Sequence, residues 1–387
     1  MSEKKGEKRA ATVLASSAVA TDPAHGAVAP PLVLSTTFAW KDHETKPAYD
    51  YARRDHPNRA QLLEALAELE GAEGGTIVPS GLAALNLCLE LVRPGQRVVA
   101  PHDCYGGSHR LLSAKAERGA FEVAFVDLTD ETARREAFAK DAALALIETP
   151  SNPLMRLTDI AAVAKEAKRA GALVVADNTF LSPILQNPIA LGADIVIHST
   201  TKSIAGHSDV IGGAVLTAKR ALGEELAWWA NCTGAHGPAF DAWLTLRGMR
   251  TLKLRAEEQQ RSALSLAQRL AGDPRIAAVY YPGLDTHRQA ALARSQQKGP
   301  GCILSAELAE GLSLPRFLGA LRLITLAESL GGFESLICVP DTMTHAGMEE
   351  DARRKAGIAP GLFRLSVGLE DLSDLEADLS RALSAAE

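Results

Sequence analysis

Short apolar runs alternating with helical stretches predict an α/β chain built on a mostly parallel, doubly wound sheet, followed by a smaller α+β module. Three observations carry this. Strand-length apolar runs recur at 76–78, 97–100, 123–126, 144–147, 173–176 and 195–197, and several stop at polar residues. Stretches with helical spacing, such as 160–170, separate them. After about residue 250 the alternation changes style. At 387 residues the chain exceeds one ordinary core. The expected division is an extended arm over 1–60, a large domain over 61–250 and a small domain over 251–387.

The arm shows no sustained period, and Pro23, Pro30, Pro31, Pro47 and Pro57 break any helix. Tyr51, Arg53 and Arg54 concentrate an aromatic ring and two guanidinium groups in this non-core segment, read either as a solvated turn or as an anion-binding element. Leu62, Leu63, Leu66 and Leu69 then recur at helical spacing up to Glu70, and Gly74-Gly75 are expected to end that helix. A strand at 76–78, a turn at Pro79-Ser80-Gly81 and an apolar helix over 82–91 follow; strand, glycine turn and helix in that order present free N–H groups to an anion.

Polar residues fall where the strands stop. Asn152, Asp177, Ser199, Thr201 and Lys202 all follow predicted strands, so the fold collects them on one sheet edge, where open α/β sheets bind ligands. Lys202 is the expected nucleophile, an amine that attacks a carbonyl only when unprotonated. Asp177 follows a buried strand without a basic neighbour and needs a cationic partner. Pyridoxal phosphate would supply a ring-nitrogen cation for Asp177, an aldehyde for Lys202, and a phosphate for Ser80, Gly81, Ser199 and Thr201. In the small module, a helix at 262–270, a turn at 280–283, a strand at 302–308, helices at 314–321 and Leu372–Ala386, and the strand-like run around Arg364 are expected. Arg364 lies within an apolar run and calls for an anion, either a substrate carboxylate or a structural carboxylate.

Composition narrows the partners. A net charge of −6 leaves no electrostatic footprint for nucleic acid or an anionic membrane, which points to small molecules. No run approaches the ~20 apolar residues a membrane span needs. Five scattered cysteines without a Cys-x-x-Cys pair suit a reducing compartment and argue against a zinc site. Residues 11–20 imitate an export leader, but Ser16 and Ser17 interrupt the apolar run and Glu3 and Glu7 interrupt the basic one, so a cytoplasmic location is expected.

Five strings occur in order: APHDCYGGS (100–108), ETPSNP (148–153), DNTFLSP (177–183), STTK (199–202) with GHSD (206–209), and LRGMRTL (246–252). With them the chain closely resembles the trans-sulfuration, or cysteine and methionine metabolism, family of pyridoxal-phosphate enzymes over residues 12–385. The resemblance implies an aminotransferase-like fold of type I. It also implies Lys202 as the Schiff-base lysine and proton shuttle, Asp177 as partner of the pyridine nitrogen, Tyr105 stacked on the ring and Asn152 near the ring hydroxyl. Gly81, Leu82, Ser199 and Thr201 would hold the phosphate, joined by Tyr51 and Arg53 of a neighbouring subunit. Arg364 would clamp the substrate carboxylate, steadied by Ser329 and Asn152, while Glu328, Arg110 and Arg54 would line the rest of the pocket.

The implied assembly is a homotetramer made of two dimers with shared sites. The implied reaction is replacement of the acyl group of O-succinylhomoserine or O-acetylhomoserine by L-cysteine, giving cystathionine for methionine biosynthesis; the alternatives within the family are γ-elimination and sulfhydrylation. Gly106-Gly107 after Tyr105, together with Glu328 and the 227–231 segment, resemble the synthase pattern. Two departures stand out: DHPN at 55–58, which sets Asp55 beside the arm arginines, and Leu82 where methionine is usual. A ligand-binding module without turnover would carry a DNA-binding helix pair or a basic extension, or would lack Lys202 or Asp177, and the sequence shows none of these.

Overall fold

The computed structural model describes residues 8–346, 351, 353 and 356–387; Glu3 and Glu7 lie outside them. The larger sheet contains β1 (Gly74–Val78), β2 (Arg97–Pro101), β3 (Glu122–Val126), β4 (Leu144–Glu148), β5 (Leu173–Asp177), β6 (Ile195–Ser199) and β7 (Gly213–Thr217). Their order across the sheet is β1-β7-β6-β5-β4-β2-β3, and β7 pairs antiparallel with both β1 and β6 while the others run parallel. These strands are apolar throughout because both faces are covered. Ala145, Ile147, Val174, Ala176 and Val196 pack with Leu62, Leu66 and Val163. Their alternates Leu144, Leu146, Val175, Ile195 and Ile197 pack with Leu85, Leu112 and Leu226. This mostly parallel sheet, with a second, smaller sheet after it, agrees with the expected α/β class.

The second sheet contains β8 (Ile276–Tyr280), β9 (Ile303–Leu308), β10 (Thr325–Leu326), β11 (Leu336–Cys338) and β12 (Leu362–Ser366), in the order β10-β11-β12-β9-β8. Leu266 and Leu270 of the helix Leu252–Ala271 and Leu375 and Leu379 of the helix Leu372–Ala386 cover it, with Phe317 and Phe363 in contact at 5.0 Å. Arg364 lies mid-strand in β12, opposite Cys338 on one side and Ser305 on the other.

Three local expectations change. Pro57 does not end structure but begins the helix Pro57–Glu70, because its missing N–H is not needed in the first turn; the His56 ring nitrogen accepts the Asn58 N–H at 3.2 Å. That helix ends at Gly71, which is left-handed at φ 71°, and Gly74-Gly75 instead open β1. A Cβ on Gly75 would lie 2.1 Å from the Val215 carbonyl oxygen, so glycine there permits the β1–β7 approach. The arm is not wholly extended either, since Ala10–Ser16 is helical and buries Val13 and Leu14. The antiparallel β7 goes unpredicted, as a five-residue apolar run carries no mark of its direction.

Gly75→Ala is expected to cost about 3 kcal/mol or more, since the new Cβ meets rigid backbone. Gly71→Ala, which meets open space, should cost about 1–2 kcal/mol for its left-handed backbone. Denaturant unfolding of both variants checks this; equal costs would contradict the close approach of β1 and β7.

Candidate active site

A cavity of about 380 Å³ opens at the carboxyl ends of the parallel strands. Ser80, Gly81, Leu82, Tyr105, Asn152, Asp177, Ser199, Thr201, Lys202, Glu328, Ser329 and Arg364 all line it, so the fold unites residues spread over almost the whole chain. Tyr51, Arg53, Arg54 and Arg110 do not line it. Tyr51 bridges to Thr37, the Arg53 guanidinium donates to the carbonyl and side-chain oxygens of Asn231 at 2.8 Å, Arg54 pairs with Asp50 at 2.7 Å, and Arg110 lies exposed on the helix Gly106–Glu117. Asp55 accepts the neighbouring His56 N–H.

Lys202 sits in the turn that leaves β6. Its N–H donates to Ser199 O at 3.2 Å, and Gly206 N–H donates to its carbonyl at 2.8 Å. The Arg255 guanidinium underpins that turn through Ser203 O at 2.8 Å and Ile204 O at 3.4 Å, and ties it to the helix Ala239–Met249 through Gly248 O at 3.0 Å. A Cβ on Gly206 would lie 2.0 Å from Arg255, which explains the glycine. The Lys202 amine donates to Ser329 Oγ at 2.9 Å. Burial first, then the Arg364 charge, lowers its pKa from the usual lysine range to about 8, against the opposing pull of Glu328.

Ser329 occupies a left-handed conformation at φ 94°, a backbone cost of about 1–3 kcal/mol. In that pose its Oγ meets the Lys202 amine and its carbonyl accepts from Arg364 at 2.8 Å. Arg364 is 2 % exposed and donates also to Asn152 Oδ1 at 2.9 Å, while its Nε has no partner. Among the described residues no carboxylate pairs with it. His345 fixes the other side of Asn152, with its Nε2 at 3.0 Å from the Asn152 carbonyl; burial, and then Arg364, lowers its pKa to about 4, so the ring is neutral and donates there.

On the cavity floor Asp177 ends β5, one oxygen accepting the Thr179 N–H at 3.0 Å. Burial raises its pKa above the usual carboxylate range, and no cation pairs with it among the described residues. Thr179 Oγ1 accepts the Ser199 N–H at 2.9 Å, tying β5 to β6. Tyr105 is 42 % exposed, and a Cβ on Gly107 would lie 2.5 Å from its ring, so the glycine pair leaves room for the tyrosine. Glu148, Thr179 and Arg255 were not singled out from the sequence. Glu148 ends β4 as Asp177 ends β5, and that strand-end position was the available signal.

These residues fit pyridoxal phosphate on structural grounds. Lys202 offers an amine of lowered pKa, and Asp177 a carboxyl in need of a cation. At the third point, Ser80 caps the helix Gly81–Leu89, its Oγ accepting the Ala83 N–H at 3.1 Å, which leaves the first N–H groups of that helix for an anion. A Cβ on Gly81 would come 2.7 Å from Ser199 Cβ, so only glycine keeps this cradle closed around a phosphate.

Fold and site together define an enzyme of pyridoxal-phosphate chemistry. The family model described as Cys/Met metabolism PLP-dependent enzyme matches residues 11–384, and the chain belongs to that family of carbon–sulfur transferases and lyases. It is 48% identical to cystathionine γ-synthase of Escherichia coli K12, covering 98% of this chain and 99% of that one. It is 43% identical to cystathionine β-lyase of Coxiella burnetii, covering 94% of each. The crystal structure of cystathionine γ-synthase from Xanthomonas oryzae pv. oryzae in complex with aminoacrylate and cysteine superposes with a TM-score of 0.96 at 50% identity, covering 98% of both chains. No helix of the described residues is long and apolar enough to cross a membrane.

Capture of pyridoxal phosphate by the apo protein needs the unprotonated Lys202 amine, so its rate should rise with pH through about 8 and level off above. Arg364→Leu removes a repelling cation and should move the midpoint up; Glu328→Gln removes an attracting anion and should move it down. Stopped-flow absorbance measures both. Shifts of the opposite sign would contradict the electrostatics described.

Proposed function

We propose that the protein catalyses replacement of the acyl group of O-succinylhomoserine or O-acetylhomoserine by L-cysteine, the cystathionine γ-synthase reaction of methionine biosynthesis, in the cytoplasm. The observation that carries this reading is the meeting of Lys202, the unpaired guanidinium of Arg364 and the exposed carboxylate of Glu328 at one cavity. An amino-acid substrate needs a proton-transfer group, a cation for its carboxylate and an anion for an ammonium, and these three supply them. The greater identity to the γ-synthase of E. coli than to the β-lyase of C. burnetii favours synthesis over the lyase reactions.

Bound pyridoxal phosphate supplies an electron sink that makes the substrate α-proton acidic. Asp177 would keep the ring nitrogen of the cofactor protonated and so strengthen that sink, with Tyr105 and Asn152 bordering the ring. Ser80, Gly81, Leu82, Ser199 and Thr201 would hold its phosphate. Arg364 clamps the α-carboxylate in a fork whose other contacts, Asn152 and Ser329, are already made. Ser329 Oγ holds the Lys202 amine beside that fork, from which Lys202 moves protons at the α- and β-carbons as the acyl group leaves. The sulfur of cysteine then adds at the γ-carbon, where the bond to the acyl oxygen has broken; the acyl group departs as its carboxylate, the thiol proton is released, and Lys202 returns protons to the β- and α-carbons.

The phosphate cradle of one chain contains only neutral groups, and Arg53 and Tyr51 lie on an arm that leaves Val28, Leu34 and Trp40 exposed, with Trp228 and Phe240 exposed as well. Apolar exposure on this scale suits an interface. The working form is a homotetramer of two dimers, in which Tyr51 and Arg53 reach the phosphate of the adjoining chain and Arg54 and Arg110 complete the substrate pocket. The arm over 1–60, the cofactor domain over 61–250 and the small domain over 251–387 divide the labour: cross-subunit contact, cofactor binding and carboxylate binding.

Product analysis with cysteine and either acyl ester tests the reading. Cystathionine formed in step with release of succinate or acetate is expected; 2-oxobutanoate and ammonia instead, or consumption of cystathionine, would make the protein a lyase. Lys202→Ala and Arg53→Ala chains, each inactive alone, should regain part of the activity when mixed and refolded together, and failure to do so would contradict the shared site.

A further inference from the structure

Glu148 is a buried acid that the proposed chemistry leaves unused. It ends β4 directly beside Asp177 in the parallel register of β4 and β5, and register partners point to the same face. Both carboxyls therefore belong to the cavity floor, and both line the cavity. Glu148 is 6 % exposed. One of its oxygens accepts the Tyr105 N–H at 2.9 Å, and the other, Oε1, is buried without a partner. Tyr105 is the residue before the helix Gly106–Glu117 and has no side-chain cap, so Glu148 takes over that task from another strand.

The groups facing Glu148 offer it no cation. Asp177 stands on the adjoining strand. On the loop after β2 stand the buried Cys104 and Asp103, and Asp103 is itself engaged by Ser151 at 2.8 Å and by Arg156 at 3.5 Å. Lys202 and Arg364 border the same cavity, but neither pairs with Glu148 among the described residues. Two ionised carboxylates side by side in so dry a floor would leave one negative charge unmatched by a single ring cation.

We propose that Glu148 is a positioning residue of the site, kept as the neutral acid, which holds Tyr105 through its backbone N–H and leaves the single negative charge of the floor to Asp177. This rests on the roles proposed above for Asp177 and Tyr105. Burial, and then the charge of Asp177, pushes the Glu148 pKa well above the usual carboxylate range against the opposing pull of the Tyr105 and Asn152 backbone N–H groups, in keeping with this assignment. Holding a proton that the unfolded chain releases makes folding less favourable as pH rises, so Glu148 weakens the fold at neutral pH. A residue that costs stability at a cavity is explained by what it does there.

The test compares the cofactor-loaded wild type with Glu148→Gln and Glu148→Leu. Gln keeps an acceptor for Tyr105 and cannot ionise. Its thermal midpoint should exceed that of the wild type by a margin that grows as pH rises above the usual glutamate value of 4.5, and its hold on the cofactor should stay near that of the wild type. The protonated-carboxyl stretch in the infrared spectrum at pH 8 should be lost in Glu148→Gln, a readout that does not depend on activity or on Glu148→Leu folding. Glu148→Leu, which lacks the acceptor, should release the cofactor about tenfold more readily. A Gln variant that is less stable than the wild type at pH 8, that sheds cofactor, or that leaves the infrared band unchanged would show Glu148 working as an anion and overturn the proposal. If the wild type takes up no pyridoxal phosphate, the site reading fails and the positioning role with it; a Glu148 failure alone leaves cofactor uptake by the wild type intact.

Discussion

Desolvated charge without an internal partner is the constraint on which this molecule turns. Lys202, Asp177 and Arg364 each border one cavity, and among the described residues none is neutralised by an ion pair. Proteins pair buried charges because an isolated one costs several kcal/mol. On the reading proposed above, the complement comes from ligands: an aldehyde for the amine, a ring cation for the carboxylate, a substrate carboxylate for the guanidinium. The surrounding fold, with strands packed on both faces, carries the cost.

The scaffold holds these groups by backbone and side chain together. Arg255 grips the Ser203 and Ile204 carbonyls of the Lys202 turn, and Ser329, in a left-handed conformation, presents its hydroxyl to Lys202 and its carbonyl to Arg364. On the opposite face of the sheet His198 meets Glu70 at 2.7 Å, and Asn178 and Gln186 complete a buried network that ties the ends of β5 and β6 to the helix Pro57–Glu70. Asp177 and Ser199 are the neighbours in sequence of residues in this network. Rigid strand ends of this kind give a site its positional accuracy.

Much of this was legible in the sequence because strand ends mark themselves. Asp177, Ser199 and Lys202 follow β-branched runs, and the doubly wound pattern needs nothing beyond alternation to place them on one edge. Glu148 gives the same signal but precedes a proline-rich turn, which drew attention to Asn152 instead. The Pro57 helix start was hidden because proline suits the first turn of a helix as well as a break. The direction of β7 and the grip of Arg255 depend on contacts between residues far apart in the chain, which no local pattern encodes. For Arg364 the sequence leaves a structural salt bridge and a ligand contact both open, and the lack of a carboxylate partner among the described residues is visible only in the folded chain. Tyr51, Arg53, Arg54 and Arg110 lie away from the cavity of their own chain, a separation that no local sequence pattern encodes.

The central claim is that Lys202 is the amine to which pyridoxal phosphate bonds. Borohydride reduction of the purified protein, followed by proteolysis and mass spectrometry, tests it most directly. The account predicts a phosphopyridoxyl group on the peptide that contains Lys202, and none on that peptide in Lys202→Ala. A reduced adduct on a different lysine, or none on a protein saturated with the cofactor, would contradict it.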